Sequence, residues 1–239
     1  MKKLFLPALF TCCINFCFAQ FTVNDTTFLV RETANNIYHA VYFEKNKNSE
    51  FYKYISDFGF TEFDGIREYQ EGIDVLKQYY NKTKLKKTSL NGVSTKWCML
   101  YLLKDIFYVY SPSDYCWNFQ NEITDSVFIS KGCEKTFSII DTIVKKNEHF
   151  FQLKMKSIRR NFKNEKIIRT INIYIIDKQK GIAVFEDNYW GKKEYRLMVE
   201  ASKVNNFPLI INYCETSKQG EFEFDKVDYS ALIKKYQSQ

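Results

Sequence analysis

From Trp97 onward the hydrophobic pattern changes to a period of two, and this constrains the fold more than any other feature of the chain. In 148–158 (EHFFQLKMKSI), Phe151, Leu153 and Met155 face one way while Gln152, Lys154 and Lys156 face the other. That alternation marks a half-buried strand. In 166–177 (KIIRTINIYIID), Ile171, Ile173 and Ile175 alternate with Thr170, Asn172 and Tyr174. Asp177 to Gly181 forms a turn, because Gly181 tolerates a positive φ, and GIAVFEDNYW then returns. Asn188 to Lys193 reverses the chain again into 194–201, where Tyr195, Leu197, Val199 and Ala201 oppose Glu194, Arg196 and Glu200. Residues 97–103 (WCMLYLL) and 106–111 (IFYVYS) flank Lys104-Asp105, which predicts a two-residue hairpin turn. PLIINYC (208–214) and EFEFDKV (221–227) complete the series of strands.

The front of the chain reads differently. In 64–82, Ile66, Tyr69, Ile73, Leu76 and Tyr80 follow steps of three and four and predict an amphipathic helix, which Gly72 weakens by about 1 kcal/mol relative to Ala. Residues 33–44 place Ile37, Ala40, Val41 and Glu44 at helical spacing, although Tyr38–Phe43 could also extend as a strand. A short helix over 228–236 closes the chain. Short turns between long strands imply antiparallel neighbours, and long twisted strands curve a sheet. The predicted fold is therefore α+β. N-terminal helices pack on a curved antiparallel β-meander, a half-barrel or cone-like sheet, with a short C-terminal helix.

The first twenty residues, MKKLFLPALFTCCINFCFAQ, have the layout of a secretory signal. Two lysines precede an uncharged run from Leu4 to Phe18, and Cys17 and Ala19 place small residues at −3 and −1. The expected organisation is a signal peptide at 1–19, a helical region at 20–92 and a sheet body at 93–239, with 20–239 forming one domain. The expected location is the periplasm or the extracellular space. No later apolar run reaches the roughly 20 residues that span a bilayer, so no transmembrane segment is expected in the mature chain. Loss of Lys2 and Lys3 lowers the formal charge from +7 to +5. With export, and without an aromatic-basic motif, this argues against nucleic acid as a partner.

Cleavage also removes three of the seven cysteines and leaves Cys98, Cys116, Cys133 and Cys214. An even count in an exported chain points to disulfides, with three complete pairings open. Their spacing matches no zinc or redox pattern, so neither metal nor cofactor is expected.

Catalytic constellations are scarce. The sequence lacks GxSxG, SxxK, Walker and GxGxxG motifs. His149 with Cys133 is the one thiol–imidazole pair that can be assembled, and Glu186-Asp187 beside Tyr189-Trp190 is the best carboxylate pair. Glu221, Glu223 and Asp225 form an acidic row on one expected strand. No catalytic residue is assigned. The residues expected to bind a ligand or partner are Tyr110, Tyr115, Trp117 and Phe119 in one polar-aromatic segment, and Tyr189 and Trp190 in another. The leading expectation is a non-enzymatic protein that holds an apolar small molecule or a partner segment on its curved sheet. An envelope or surface module for proteins or glycans, and a hydrolase of unrecognised type, are the alternatives.

Overall fold

The computed structural model describes residues 21–237 except 24, 35, 59–62, 81–84, 160–164, 190 and 216–219. The expected signal peptide and Trp190 therefore lie outside the described residues. The elements are β1 (Phe21–Val23), β2 (Thr26–Ala34), β3 (Ile37–Glu44), α1 (Glu50–Ser56), α2 (Phe63–Tyr79), β4 (Lys96–Met99), β5 (Tyr101–Leu103) and β6 (Ile106–Ser111). They continue as β7 (Gln120–Ile123), β8 (Val127–Lys131), β9 (Lys135–Asn147), β10 (Phe150–Arg159), β11 (Glu165–Asp177), β12 (Ile182–Tyr189), β13 (Lys192–Glu200), β14 (Leu209–Cys214) and α3 (Tyr229–Gln237).

The fold is α+β with antiparallel sheet, and the curved meander closes completely. Eight strands in the order β10-β11-β12-β13-β4-β7-β8-β9 form a barrel, where a half-barrel or cone was expected. Closure comes from a strand distant in sequence: Met198, Val199 and Glu200 of β13 pair with Met99, Cys98 and Trp97 of β4. Register shifts where β9 meets β10 and where β11 meets β12 bend the long strands around the barrel. The inward row is the expected one in β10 and at Ile171 and Ile173 of β11, whereas in β13 Met198 faces inward and the expected row, Leu197 and Val199, lies on the outer wall. Phe151, Leu153, Met155, Ile171, Ile173, Phe185 and Met198 meet Trp97, Ile123 and Phe128 in a single buried cluster. Trp97 packs edge-on against Phe185, with ring centres 5.2 Å apart. Leu90 and Val93, from the segment that leads into β4, pack onto this cluster and cover one end of the barrel.

A second, six-stranded sheet has the order β1-β2-β3-β14-β6-β5. It corrects the front of the expected helical region at 20–92, where β1, β2 and β3 are strands, while α1 and α2 lie in the rest of it and α2 matches the helix expected over 64–82. Ala40 and Val41 are consecutive and both buried, since β3 lies inside the sheet and is covered on both faces. A strand buried on both faces loses its alternation and mimics helical spacing. Asn36, with φ of 63°, turns β2 into β3. The sheet also contains a parallel pairing, Leu209–Ile211 of β14 beside Val109–Ser111 of β6, within an otherwise antiparallel arrangement. The Lys104-Asp105 turn has the expected form, with φ of 49° and 63°.

The outer wall of the barrel is covered in two places. Ile73 and Leu76 of α2 pack on Val127, Ile129, Phe137 and Ile139. A Cβ at Gly72 would stand 2.4 Å from the Phe137 ring, so the glycine provides the close approach of helix and barrel. Elsewhere Tyr52 and Ile55 of α1, with Val109, Leu209 and Ile211 of the second sheet, bury Cys98, Leu100, Val184, Leu197 and Val199. The 221–227 segment, expected as a strand, has no ladder pairing. It runs as a strap across the second sheet, with Phe222 and Phe224 packed on Tyr101 and Tyr110. The short C-terminal helix is present as α3.

Candidate functional site

The candidate site lies at the seam where barrel and second sheet part. Met99 makes the last rung of β4, its N–H donating to Phe119 O at 3.2 Å. The chain then leaves the barrel at Leu100, builds the β5–β6 hairpin in the other sheet and returns at Phe119. A groove of about 430 Å³ opens along this divergence, lined by the 99–102 segment on one side and by 224–227 with Tyr229 on the other, so that Asp225 and Lys226 stand among apolar residues. One wall is the edge of β4–β5 and the other is the strap with the start of α3.

The strap is fastened at both ends. The Glu221 carboxylate accepts hydrogen bonds from Tyr110 Oη (2.6 Å), the Asp114 N–H (2.9 Å), Ser113 Oγ (3.1 Å) and Asn212 Nδ2 (3.3 Å). Asn212 Nδ2 also donates to Tyr110 Oη at 2.9 Å, and its Oδ1 lies 2.8 Å from His39 Nε2. At the other end Asp225 N–H donates to Leu102 O (2.9 Å), and the Lys104 N–H donates to Asp225 Oδ2 (2.6 Å). Burial, and then the bond to Glu221, hold the Tyr110 phenol well above its ordinary range.

Beside the groove stands a disulfide-tied turn. Cys116 and Cys133 are bonded, which joins the 115–117 turn to the β8–β9 connection. The turn holds Trp117 out, 51% exposed, while its carbonyl accepts from the groove residue Tyr101 (Oη to O, 3.4 Å). The Trp117 ring meets Phe119 edge-on at 6.1 Å, and the guanidinium of Arg196 lies 5.3 Å from the Phe119 ring centre. Arg196 of β13 thus packs on the residue that leads into β7. Below it, inside the barrel, Arg169 makes a two-pronged contact with Asp187, with Nε to Oδ1 at 3.0 Å and a second, short contact from Nη2 to Oδ2. The Arg169 guanidinium also lies between the Phe128 and Tyr189 rings, at 5.0 and 4.9 Å. Such a desolvated carboxylate is satisfied only by a closely matched partner.

The structure brings together part of the expected binding set. Trp117, Phe119 and Tyr189 lie at one end of the barrel, although Tyr189 is half-buried beneath Arg169. Tyr110 is a buried anchor for the strap, packed on Tyr101. The Tyr115 side chain and Trp190 are outside the described residues. Tyr101, Phe224, Tyr229 and Arg196 were not singled out in the sequence. The Phe222/Phe224 alternation was the signal for one groove wall, and no local pattern marks Arg196.

Several readings are corrected. Of the four cysteines with pairings left open, Cys116 and Cys133 are bonded, as one of those pairings allows, while Cys98 and Cys214 are thiols. Cys98 is fully buried, its thiol faces Ile55 O at 3.3 Å, and burial pushes it up to about 12. Cys133 is oxidised, and His149 is exposed at the β9–β10 turn, the opposite end of the barrel, so the two form no thiol–imidazole pair. Glu186 and Asp187 point to opposite faces of β12. Asp187 binds Arg169 inside, whereas Glu186 accepts from Asn172 Nδ2 (2.9 Å) and Tyr195 Oη (3.1 Å) outside. Glu221 and Asp225 are taken up in fastening the strap. Among the described residues no group of three His, Cys, Asp or Glu is placed to hold a metal ion. No helix among them is long and apolar enough to cross a membrane. No family model, curated protein or solved structure matches this chain.

Proposed function

We propose that this is an exported, non-enzymatic binding protein that holds an apolar ligand in the groove between β4–β5 and the strap. The observation that carries this reading is the contrast between barrel and seam. Large apolar side chains fill the barrel interior, whereas the groove between Met99–Leu102 and Phe224–Tyr229 is open, largely apolar and within the size range of small-molecule sites. The signal-like first twenty residues support export. So does the Cys116–Cys133 bond, because disulfides persist mainly in oxidising compartments. One specific observation favours a second reading, an envelope or surface interaction module: a rigid, disulfide-tied turn displays Trp117, and exposed aromatics on rigid loops are common interface anchors.

The neutral apolar fluorophore N-phenyl-1-naphthylamine tests the first reading. Its emission should rise and shift to the blue on mixing with the protein. Val227→Arg, which places a charged side chain in the groove wall, should abolish that response without lowering thermal stability by more than a few degrees. No response from the wild type, or an undiminished response from the variant, would refute the groove as the site.

A further inference from the structure

Resting on the groove as a binding site, we infer that its ligand is an anionic amphiphile, an apolar chain ending in a carboxylate, and that Arg196 receives the charged end. Three observations carry this. First, Arg196 is joined to the groove through an unbroken set of contacts: Tyr101 lines the groove, its hydroxyl meets the Trp117 carbonyl, Trp117 packs on Phe119, and Phe119 lies under the Arg196 guanidinium. From the other wall, Tyr229 stacks at 5.4 Å on Tyr195, which precedes Arg196 in β13 and points to the opposite face of the strand. The Arg196 charge accordingly lowers the pKa of both groove phenols, Tyr101 and Tyr229, against the larger upward effect of burial.

Second, the charge of Arg196 is poorly compensated from within. Asp187 is engaged two-pronged by Arg169, and Arg196 Nη1 reaches it only at 3.9 Å. The closer partner is Glu194, 3.0 Å from Nη2, but Glu194 is 61% exposed. Arg196 is itself only 23% exposed, so Glu194 reaches it from the solvent side, where another anion can take its place. Arg169 and Arg196 thus share Asp187 and Glu194, and of the four Glu194 is the one most open to solvent. Third, the chemistry suits a carboxylate: guanidinium presents paired donors to it, and Phe119 holds the plane of the group from one side. Glu194 then occupies the place of the ligand headgroup when the groove is empty.

Decanoate and decanol, competing with N-phenyl-1-naphthylamine on the full mature chain, separate this inference from the reading beneath it. Decanoate should displace the fluorophore at about tenfold lower concentration than decanol, a preference that shrinks as salt rises. Arg196→Gln should erase the preference while leaving decanol competition unchanged, and Arg196→Lys should restore part of it. Glu194→Gln removes an exposed competitor and should tighten decanoate binding several-fold with no effect on decanol. That variant keeps the test valid even if Arg196→Gln destabilises the barrel. Equal competition by the two ligands, or indifference of decanoate to Glu194→Gln, would overturn the inference and leave the groove as a site for neutral ligands. Failure of both ligands to compete would overturn the inference together with the groove reading.

Discussion

The two sheets of this protein are built on opposite principles. In the barrel, β7 to β13 run in sequence and each pairs with the next, so only β4 is recruited from a distance. The six-stranded sheet gathers three separate stretches: residues 21–44, the β5–β6 hairpin and β14, with His39 opposite Cys214 across most of the chain. Local pairings cost little loop-closure entropy and distant ones cost more, so the barrel is the natural scaffold and the second sheet the later addition. The groove falls where the two meet. Among the described residues a cluster of large apolar side chains occupies the barrel interior, whereas the seam beside the second sheet opens into a groove.

The comparison breaks most visibly in the barrel. Trp97→Ala removes a fully buried ring that packs on Phe185 and donates to Ser94 O, and should cost about 3–5 kcal/mol in urea unfolding. Stopped-flow kinetics should place much of that loss on the folding rate. Ile210→Ala in β14 should act mainly on unfolding, because the second sheet forms later. Equal partition in the two variants would show that the sheets form together. Gly72→Ala comes next. Helix propensity favours it, yet the new Cβ would strike the Phe137 ring, so a net loss of about 1–3 kcal/mol is expected. A stabilised variant would mean that Phe137 yields freely and that α2 is loosely held.

Glu221→Gln should cost about 1–2 kcal/mol, since the amide cannot accept all the bonds that converge on the carboxylate. Hydrogen exchange should rise in 220–228 and stay unchanged in the barrel strands, and a uniform rise would contradict the strap as a separate device. Glu122, on the outer face of β7, should give the smallest effect. Burial raises its pKa above the ordinary carboxylate value, against the lowering influence of Lys96. The folded state therefore keeps this proton where the unfolded chain has lost it, and stability falls as pH rises from the ordinary value through the raised one. Glu122→Gln should flatten that fall and stabilise the protein at neutral pH. A variant with an unchanged pH slope would place the charge in solvent.

The same contrast explains what could be read from the sequence. Strands β10 and β11 were legible because one face is packed and the other more open, and β12 and β13, buried on both faces over much of their length, because turns such as Asp177–Gly181 are short. Closure was not legible, since the pairing of Cys98 with Val199 leaves no mark on either segment. Arg169 occupies an inward position in β11, where a charge normally signals the outer face, and only Asp187 on the next strand makes it tolerable. In the second sheet, β3 lost its alternation through burial on both faces. The strap kept alternation without a ladder, because Phe222 and Phe224 pack on tyrosines while Glu221 binds side chains. The site was half legible: Trp117 and Phe119 stood out as an aromatic segment, but the groove combines residues more than a hundred positions apart.

The most direct test of the account is where an apolar ligand lies when bound. Intermolecular nuclear Overhauser effects from the decyl chain of decanoate to the methyl- and ring-labelled protein would report this. Contacts with Met99, Leu102, Phe224 and Val227 are expected, and none with the barrel interior. Contacts with Leu153, Ile171 and Phe185 would place the ligand inside the barrel and contradict it.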